Sequence, residues 1–498
     1  MIIEHRSTSL AAAEALAREL SLWARPGLAI LLSGDLGAGK SAFARAFIRA
    51  LALDDKEFDV PSPSFSLVQS YDAIRVPVAH VDLYRIQAPP EVAELGLDEF
   101  LEKYVLIIEW PEKLPKNNFF DCLKISFSGS ADFRDLRYDA TGKWIEILNR
   151  NATINRFVDL SHMTGGTRYF FEGDASSRRY ERVTNDTSTK LLMDMPARPD
   201  GPVVRIGKSY SAIAHLAEGI GAVVAINDYL VELGYSAAQI FDADIRTGLA
   251  LIESLGSNVF GKMISRGDDV REPMKAAAEV LADMAKRDWP NKAPVRGGND
   301  HHIAAYDLDA MMIEVDLLPS WFWPLHKKSE VNDGQRTEFW AIWNTLLTGI
   351  NPARPVWTLR DYHSPNLLWI PERQGLGRVG IIDTQDCVMG HPAYDLVSML
   401  QDARVDIDFQ LADELFEYYC ELRMAAGKFD AREFSRAFAI LGAQRATKIL
   451  GIFARLSRRD GKHIYLNHIP RVSRYLKRNL DHPDLAALKT WYERNLPL

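Results

Sequence analysis

Apolar residues recur along this chain in two rhythms, and the alternation between them marks out its elements. Leu10, Ala13, Leu16, Ala17 and Leu20 keep a helical repeat behind Ser9, a residue suited to open a helix, so a helix is expected over residues 9–23. Residues 27–32 form a short continuous apolar run, the mark of a buried strand. Phe43, Ala46, Phe47 and Ala50 then return to helical spacing over residues 42–51. A second buried strand is expected at 105–108, ending in Glu109. Residues 141–148 read as a closing strand, and the polar stretch 149–153, which lacks periodicity, as a short linker. Apolar pattern resumes at Phe157, Val158 and Leu160, so the domains on either side of the linker are packed or closely tethered. Further on, residues 248–256 fit a strand running into an interlobe hinge. Strands at 367–370 and 379–382 flank a turn containing Gly375 and Gly377. Helices are expected over 273–286, 339–348, 392–401, 412–426 and 432–456. No internal repeat and no low-complexity tract is present.

A chain of 498 residues exceeds one comfortable core, so two or three domains are expected. The formal charge of -8 is spread without a basic surplus: residues 1–150 carry 17 basic against 22 acidic residues, the remainder 42 against 45. Neither part has the charge needed to grip nucleic acid alone, so any RNA contact is expected to be indirect, through another subunit. Three separated cysteines, Cys122, Cys387 and Cys420, argue against a disulfide framework or thiolate zinc site and suit a reducing compartment. Apolar runs are strand-length, short of the ~20 residues of a membrane helix, and no signal peptide is evident behind Met1. The expectation is a soluble cytoplasmic protein without membrane contact.

Two phosphoryl-transfer signatures stand far apart. Gly34-Asp35-Leu36-Gly37-Ala38-Gly39-Lys40-Ser41 is a full phosphate-binding loop between an expected strand and an expected helix. Its glycines let backbone N–H groups curl around phosphate oxygens, and the helix start adds favourable partial charge. Lys40 would reach the outer phosphates and the Ser41 hydroxyl a Mg²⁺ ion. Gly34, Gly37, Ala38, Gly39, Lys40 and Ser41 are therefore the expected nucleotide site. Ser62, Ser64 and Ser66 lie in a proline-stiffened loop entering a strand. His80 and Asp82 share one face of an extended segment with Tyr84 beside them, and Glu109 closes an apolar strand. Taken singly, these have structural explanations: turn chemistry, a core histidine, a solvated strand end.

Together, the segments of residues 1–150, including Gly96-Leu97-Asp98-Glu99, resemble the TsaE-type ATPase subunit of the bacterial complex that makes threonylcarbamoyladenosine in tRNA. The resemblance implies an α/β P-loop NTPase-like domain that uses ATP and Mg²⁺ to reset the other subunits of that complex. It assigns Asp82 and Glu109 to metal binding and hydrolysis, with Glu109 and Ser41 as metal ligands, and makes 62–66 a switch-like loop. Serine replaces the usual threonine at positions 41, 64 and 66 and keeps the hydroxyl.

The second signature is Arg360-Asp361-Tyr362-His363-Ser364-Pro365-Asn366 with Ile381-Ile382-Asp383 after it. A hairpin between them brings Asp361, Asn366 and Asp383 to one point: a carboxylate for the substrate hydroxyl, and two Mg²⁺ ligands on the phosphates. Gly173-Asp174-Ala175-Ser176-Ser177 is a candidate loop over the nucleotide, with Gly173, Ser176 and Ser177 as its contacts. Arg445, Lys448 and Arg455 fall on one helical face, where a solvated basic surface is favoured over contact with an anionic substrate. Glu314 and Asp316, near Trp321, Phe322 and Trp323, suit either sugar contact or an aromatic core.

Over most of 165–470 this order of motifs resembles the aminoglycoside phosphotransferase and choline kinase-like superfamily. The phrases at 173–180, 359–369, 390–397 and 444–451 look most like bacterial kinases that phosphorylate the anomeric hydroxyl of N-acetylmuramate or N-acetylglucosamine. The resemblance implies an α+β, protein-kinase-like bilobal domain at 151–498, with lobes at about 165–255 and 256–498. It makes Asp361 the catalytic base and gives a small sugar as substrate. Two departures stand out: Leu359 replaces a histidine, and the third-strand lysine is not obvious around Lys190 and Asp194. The expected whole is a bifunctional ATPase and kinase. The first domain as a small-molecule kinase, and the second as a nucleotide-sensing module or an aminoglycoside or amino-alcohol kinase, stay open.

Overall fold

The computed structural model describes the chain except residues 1, 8, 54–57, 88, 116–118, 131–132, 172–177, 198–199, 206, 351, 353 and 498, and describes only the backbone at 2–7, 89, 130 and 133–134. The chain divides into two compact units, 1–192 and 193–498, with the division inside the strand Thr189–Asp194.

The first unit is built on a seven-stranded sheet in the order Ile2–Ser7, Phe133–Ala140, Cys122–Ser130, Ala29–Ser33, Val105–Glu109, Val78–Asp82, Val68–Tyr71. Its four middle strands are parallel and the outer pairings antiparallel. Val78–Asp82 and Val105–Glu109 are buried throughout, because both faces of the sheet are covered; this is why they read as apolar runs without alternation. Helix Leu10–Ser21 starts at Ser9, whose side chain accepts from the Ala12 N–H, and buries Ala13, Ala17 and Leu20 against Phe43 and Phe47 of helix Lys40–Leu51. Parallel register sets Asp82 beside Glu109, and Glu109 beside Leu32, so acidic side chains collect at the carboxyl ends of adjacent strands. Ligands of open α/β sheets bind at that edge.

In the second unit, Ile240–Asp244 and Leu249–Ile252 pair antiparallel. Leu367–Trp369 and Val379–Ile381 form the expected hairpin, and Ser236–Ala237 extends it. Val356–Thr358 pairs with Val388–Gly390. The five expected helices are present as Arg271–Met284, Asp333–Thr348, Ala393–Leu400, Phe409–Ala425 and Ala431–Asp460. The last is long and apolar enough to cross a bilayer by length and composition, yet 83% of its apolar window is buried within the fold. It packs closely: a Cβ at Gly451 would meet the Leu317 carbonyl carbon at 2.5 Å, so only glycine fits there.

One expectation is overturned. Residues 143–160 form a single helix, Lys143–Leu160, instead of a closing strand and a linker. Its buried positions Trp144, Ile147, Asn151, Ile154 and Val158 keep helical spacing, and the Asp121 carboxylate accepts from the Lys143 N–H at its start. Asn151 belongs to the buried face through hydrogen bonds: its side chain accepts from Trp23 Nε1 at 2.9 Å and from Arg168 Nη1 at 2.9 Å. The Arg168 guanidinium also donates to Asn155 at 2.6 Å and Glu19 at 3.3 Å, and grips Glu181 through two bonds of 2.6 and 3.0 Å. Burial alone would raise the Glu181 carboxyl, but Arg168 and Arg179 outweigh it and hold it below its usual value.

Breaking this pair leaves a buried guanidinium without its bidentate partner. Glu181→Ala is expected to lower the stability of the unit containing it by about 3–5 kcal/mol, read from urea unfolding of the full chain. Replacing both partners, Arg168→Met with Glu181→Leu, should recover only part of that loss, because Asn151, Asn155 and Glu19 then lose the guanidinium they face. With the folded value depressed, the pair's contribution is full above the ordinary 4.5 and fades as pH falls through the lower folded value.

Candidate active sites

In the first unit the glycine-rich segment joins strand Ala29–Ser33 to helix Lys40–Leu51. Gly34 has φ of 141°, and a Cβ there would lie 2.5 Å from the Phe127 carbonyl oxygen, so the turn out of the strand requires glycine. The Lys40 ammonium is buried; it donates to the carbonyls of Gly34 at 2.6 Å and Asp35 at 2.9 Å and lies 3.8 Å from the centre of the Trp110 ring. Desolvation lowers its pKa, opposed by Glu109, Glu112, Asp82 and Asp35.

The other expected residues gather around it. Ser41 donates to Glu109 Oε2 at 2.9 Å, and His80 Nε2 meets the second oxygen, Oε1, at 2.9 Å. Asp82 accepts from Ser62 at 3.1 Å, from Ser64 at 2.7 Å and from the Tyr84 N–H at 3.0 Å. Lys40, His80, Asp82 and Glu109 are all buried, an assembly that a strand end in need of solvation does not require. A hydroxyl and two carboxylates beside a helix start form a donor set of the hard oxygen type that suits a magnesium–phosphate group.

In the second unit the catalytic-loop segment is held by carboxylates to which the motifs assign no role. Asp395 accepts from the N–H groups of Leu359 at 2.6 Å and Arg360 at 2.9 Å, and Asp402 from that of Ser364 at 2.8 Å. Burial pushes the Asp395 carboxyl up to about 7 against the pull of those two N–H bonds. Arg360 (φ 67°) and Asp383 (φ 65°) both take left-handed backbone, a strained setting for residues with side chains. The Asn366 side chain donates to the Asp361 carbonyl at 3.1 Å, and the Ile382 N–H to the Asn366 carbonyl at 3.0 Å. Asp361, Asn366 and Asp383 thus meet at the mouth of one hairpin.

Asp361 is surrounded by basic side chains. Burial would raise its carboxyl, but His363, Lys448, Arg445 and Arg360 hold it below the usual carboxylate range. Asp386 goes the other way, raised by burial and by the like charges of Asp361 and Asp383, which places all three acids near one another. Among the described residues no group of three His, Cys, Asp or Glu side chains is arranged to hold a metal by itself. One or two carboxylates and an amide oxygen, completed by substrate phosphates, suit magnesium, which seldom takes an all-protein cage.

Gly173, Ser176 and Ser177 lie outside the described residues. The basic face of helix Ala431–Asp460 is not the solvated surface expected. Arg445 is buried with a bond to the Gln401 carbonyl at 3.4 Å, and Lys448 is 2.7 Å from Glu314 Oε1. Glu314, wholly buried, also takes Arg360, Tyr306 and Gln444. Phe322 and Trp323 belong to the core, and Asp316 accepts from Trp340 at 2.9 Å, so of the two readings of that cluster the packed one holds. Asp395 and Asp402 were legible only as carboxylates in or beside apolar runs, whereas Glu314 was legible as a candidate but without its partners Arg360 and Lys448.

Comparison with known proteins adds to this geometry. Residues 7–136 match the family model for threonylcarbamoyl adenosine biosynthesis protein TsaE, and residues 169–434 that of the phosphotransferase enzyme family. An N-acetylmuramate/N-acetylglucosamine kinase of Caulobacter vibrioides is 35% identical over 358 residues, 70% of this chain and 97% of that protein. A tRNA threonylcarbamoyladenosine biosynthesis protein TsaE of Rickettsia conorii is 40% identical over 97 residues, 20% of this chain and about half, 54%, of its own length. A solved choline/ethanolamine kinase family protein from Mesorhizobium loti is 13% identical and covers 69% of this chain and 99% of its own, with a TM-score of 0.43. With more than half of its length matched, and the Caulobacter kinase covered almost end to end, the chain belongs to the phosphotransferase enzyme family and carries a TsaE region fused ahead of it.

Proposed function

We propose that the chain is bifunctional: residues 169–434 phosphorylate N-acetylmuramate or N-acetylglucosamine from ATP, and the TsaE region hydrolyses ATP in support of tRNA threonylcarbamoylation. The observation that carries the kinase reading is the meeting of Asp361, Asn366 and Asp383 at one hairpin, in a chain that covers 97% of a sugar kinase's length. For the first region it is the buried set Lys40, Ser41, Asp82 and Glu109 at the carboxyl edge of a parallel sheet.

In the kinase, Asp361 receives the sugar hydroxyl, and Asn366 and Asp383 would hold Mg²⁺. When bound, the ion supplies charge neutralisation at the transferring phosphoryl group. A carboxylate held below its usual range is a weak base. Asp361 therefore orients the hydroxyl and takes its proton late, as the new oxygen–phosphorus bond forms, which fits a loose transition state. In the first region Lys40 holds the outer phosphates, Ser41 and Glu109 serve the ion, and Asp82 fixes the Ser62–Ser64 loop. The first region adopts a P-loop NTPase-like fold, its partners are the other subunits of the tRNA-modifying complex, and the protein works in the cytoplasm.

The full chain with ATP, Mg²⁺ and each sugar, monitored by ³¹P NMR, tests the kinase; no sugar phosphate from either sugar would sink that reading. For the first region, ATP turnover stimulated by an added metabolite, and not by subunits of the tRNA-modifying complex, counts against it. Asp361→Asn should cut sugar-phosphate formation by about 10²–10⁴-fold and leave sugar-independent ATP hydrolysis intact. Lys40→Ala should do the reverse, and equal loss of both activities from either change would contradict separate sites. Since the Asp361 carboxyl sits below its ordinary 3.8, kcat/KM for the sugar should show no acid limb from this group until the pH is under that value. Asp395→Asn sets an NH₂ group against one loop N–H. We expect about 1–3 kcal/mol less stability and a fall in kcat of up to about 100-fold, with KM for ATP unchanged.

A further inference from the structure

Arg360 and Lys448 both contact Glu314, so a single buried carboxylate faces two cations. A third, Arg455, stands two helical turns beyond Lys448 on the same face of helix Ala431–Asp460. Its guanidinium lies 4.9 Å from the centre of the Tyr210 ring, and its buried Nε has no acceptor among the described residues. The acid nearest it in sequence, Asp460, is engaged by Arg459 through bonds of 2.7 and 2.9 Å. Tyr210 also lies within the field of Glu314, Lys448 and Arg360, so the ring bridges Arg455 to that cluster. Lys448 and Arg360 in turn act on Asp361. A line of basic side chains, Arg360, Lys448 and Arg455, therefore leads from the surroundings of Asp361 to a guanidinium whose Nε has no acceptor among the described residues.

The two sugars of the proposed reaction differ in one charged group. N-acetylmuramate is N-acetylglucosamine carrying a lactyl ether at C3, and so brings a carboxylate two ring carbons away from its anomeric centre. We propose that Arg455, stacked on Tyr210, binds that carboxylate and sets the preference for N-acetylmuramate over N-acetylglucosamine. The inference rests on the sugar-kinase reading. A planar guanidinium offers two parallel N–H donors to a carboxylate, and a partly desolvated position strengthens them. Arg455 stands about 10 Å of helix beyond Lys448, the cation that acts on Asp361, so the carboxylate contact is set apart from the reacting hydroxyl. Arg455 touches substrate in this proposal but none of the reacting atoms, so its signature is in KM.

The test compares both sugars on the full chain with wild type, Arg455→Gln and Arg455→Lys. Arg455→Gln should raise KM for N-acetylmuramate by about 10- to 100-fold, with kcat and all constants for N-acetylglucosamine within about threefold. Arg455→Lys should fall between. In the wild type, added salt should raise KM for N-acetylmuramate alone. Equal losses on both sugars would mark Arg455 as a packing residue and overturn the proposal, as would no change on either. Wild-type protein that phosphorylates neither sugar overturns the substrate reading itself, a result distinct from the loss of preference.

Discussion

The 359–366 loop of the second unit depends on two buried carboxylates that bind its backbone. Asp395 takes the N–H groups of Leu359 and Arg360, and Asp402 those of Ser364 and Arg404. Arg360, between the first pair of bonds and Asp361, sits in left-handed backbone, a conformation that costs about 1–3 kcal/mol for a residue with a side chain. The bonds to Asp395 offset that cost and fix the direction in which Asp361 leaves the chain. The Arg360 side chain adds a second anchor, donating to the Ala214 carbonyl at 2.7 Å and to Glu314. The loop is therefore determined from its backbone and from its side chain at once. Leu359 contributes through its N–H and its burial, neither of which needs a polar side chain at that position.

Both proposed nucleotide sites solve the same electrostatic problem with different parts. Acids crowd at strand ends, Asp82 with Glu109 in one and Asp361 with Asp383 and Asp386 in the other, and each crowd is unfavourable alone. In the first, hydroxyls and a histidine carry the load: Ser41 and His80 on Glu109, Ser62 and Ser64 on Asp82. In the second, cations at longer range hold Asp361 ionised, while Asp386 is left with its carboxyl raised. A magnesium–phosphate group suits both arrangements because it adds positive charge where acids converge and negative charge where cations do.

Much of this was legible in the sequence because the chemistry is local. A phosphate loop needs its strand, glycines and helix in one stretch, and Asn366 and Asp383 flank a single hairpin with Asp361 just before it. What escaped has a common physical cause: burial secured by polar contacts looks like exposure when only residue types are known. Asn151 broke the apolar repeat of helix Lys143–Leu160, and so the helix read as a strand and a linker, although Asn151 faces inward. Arg445 and Lys448 read as a solvated face for the same reason, because Glu314, the carboxylate that buries Lys448, lies more than a hundred residues away. Periodicity counts apolar side chains and cannot see a charge whose partner is remote in sequence.

The same blindness affects where the chain is thought to divide. The TsaE match ends at 136 and the phosphotransferase match begins at 169, which invites a cut near 150. That position falls inside helix Lys143–Leu160, and the next strand, Thr167–Phe170, contributes Arg168 to the network of Glu19, Asn151 and Asn155. A fragment ending at 150 keeps Glu19 and Trp23 but loses both asparagines and the guanidinium they face. Glu19 would then be left without its hydrogen-bond donors on a surface built to be covered, and the fragment's behaviour would report that defect along with its catalysis. Compactness places the division at 192/193, well past the family boundary. Point substitutions in the full chain therefore separate the two activities more cleanly than truncation does.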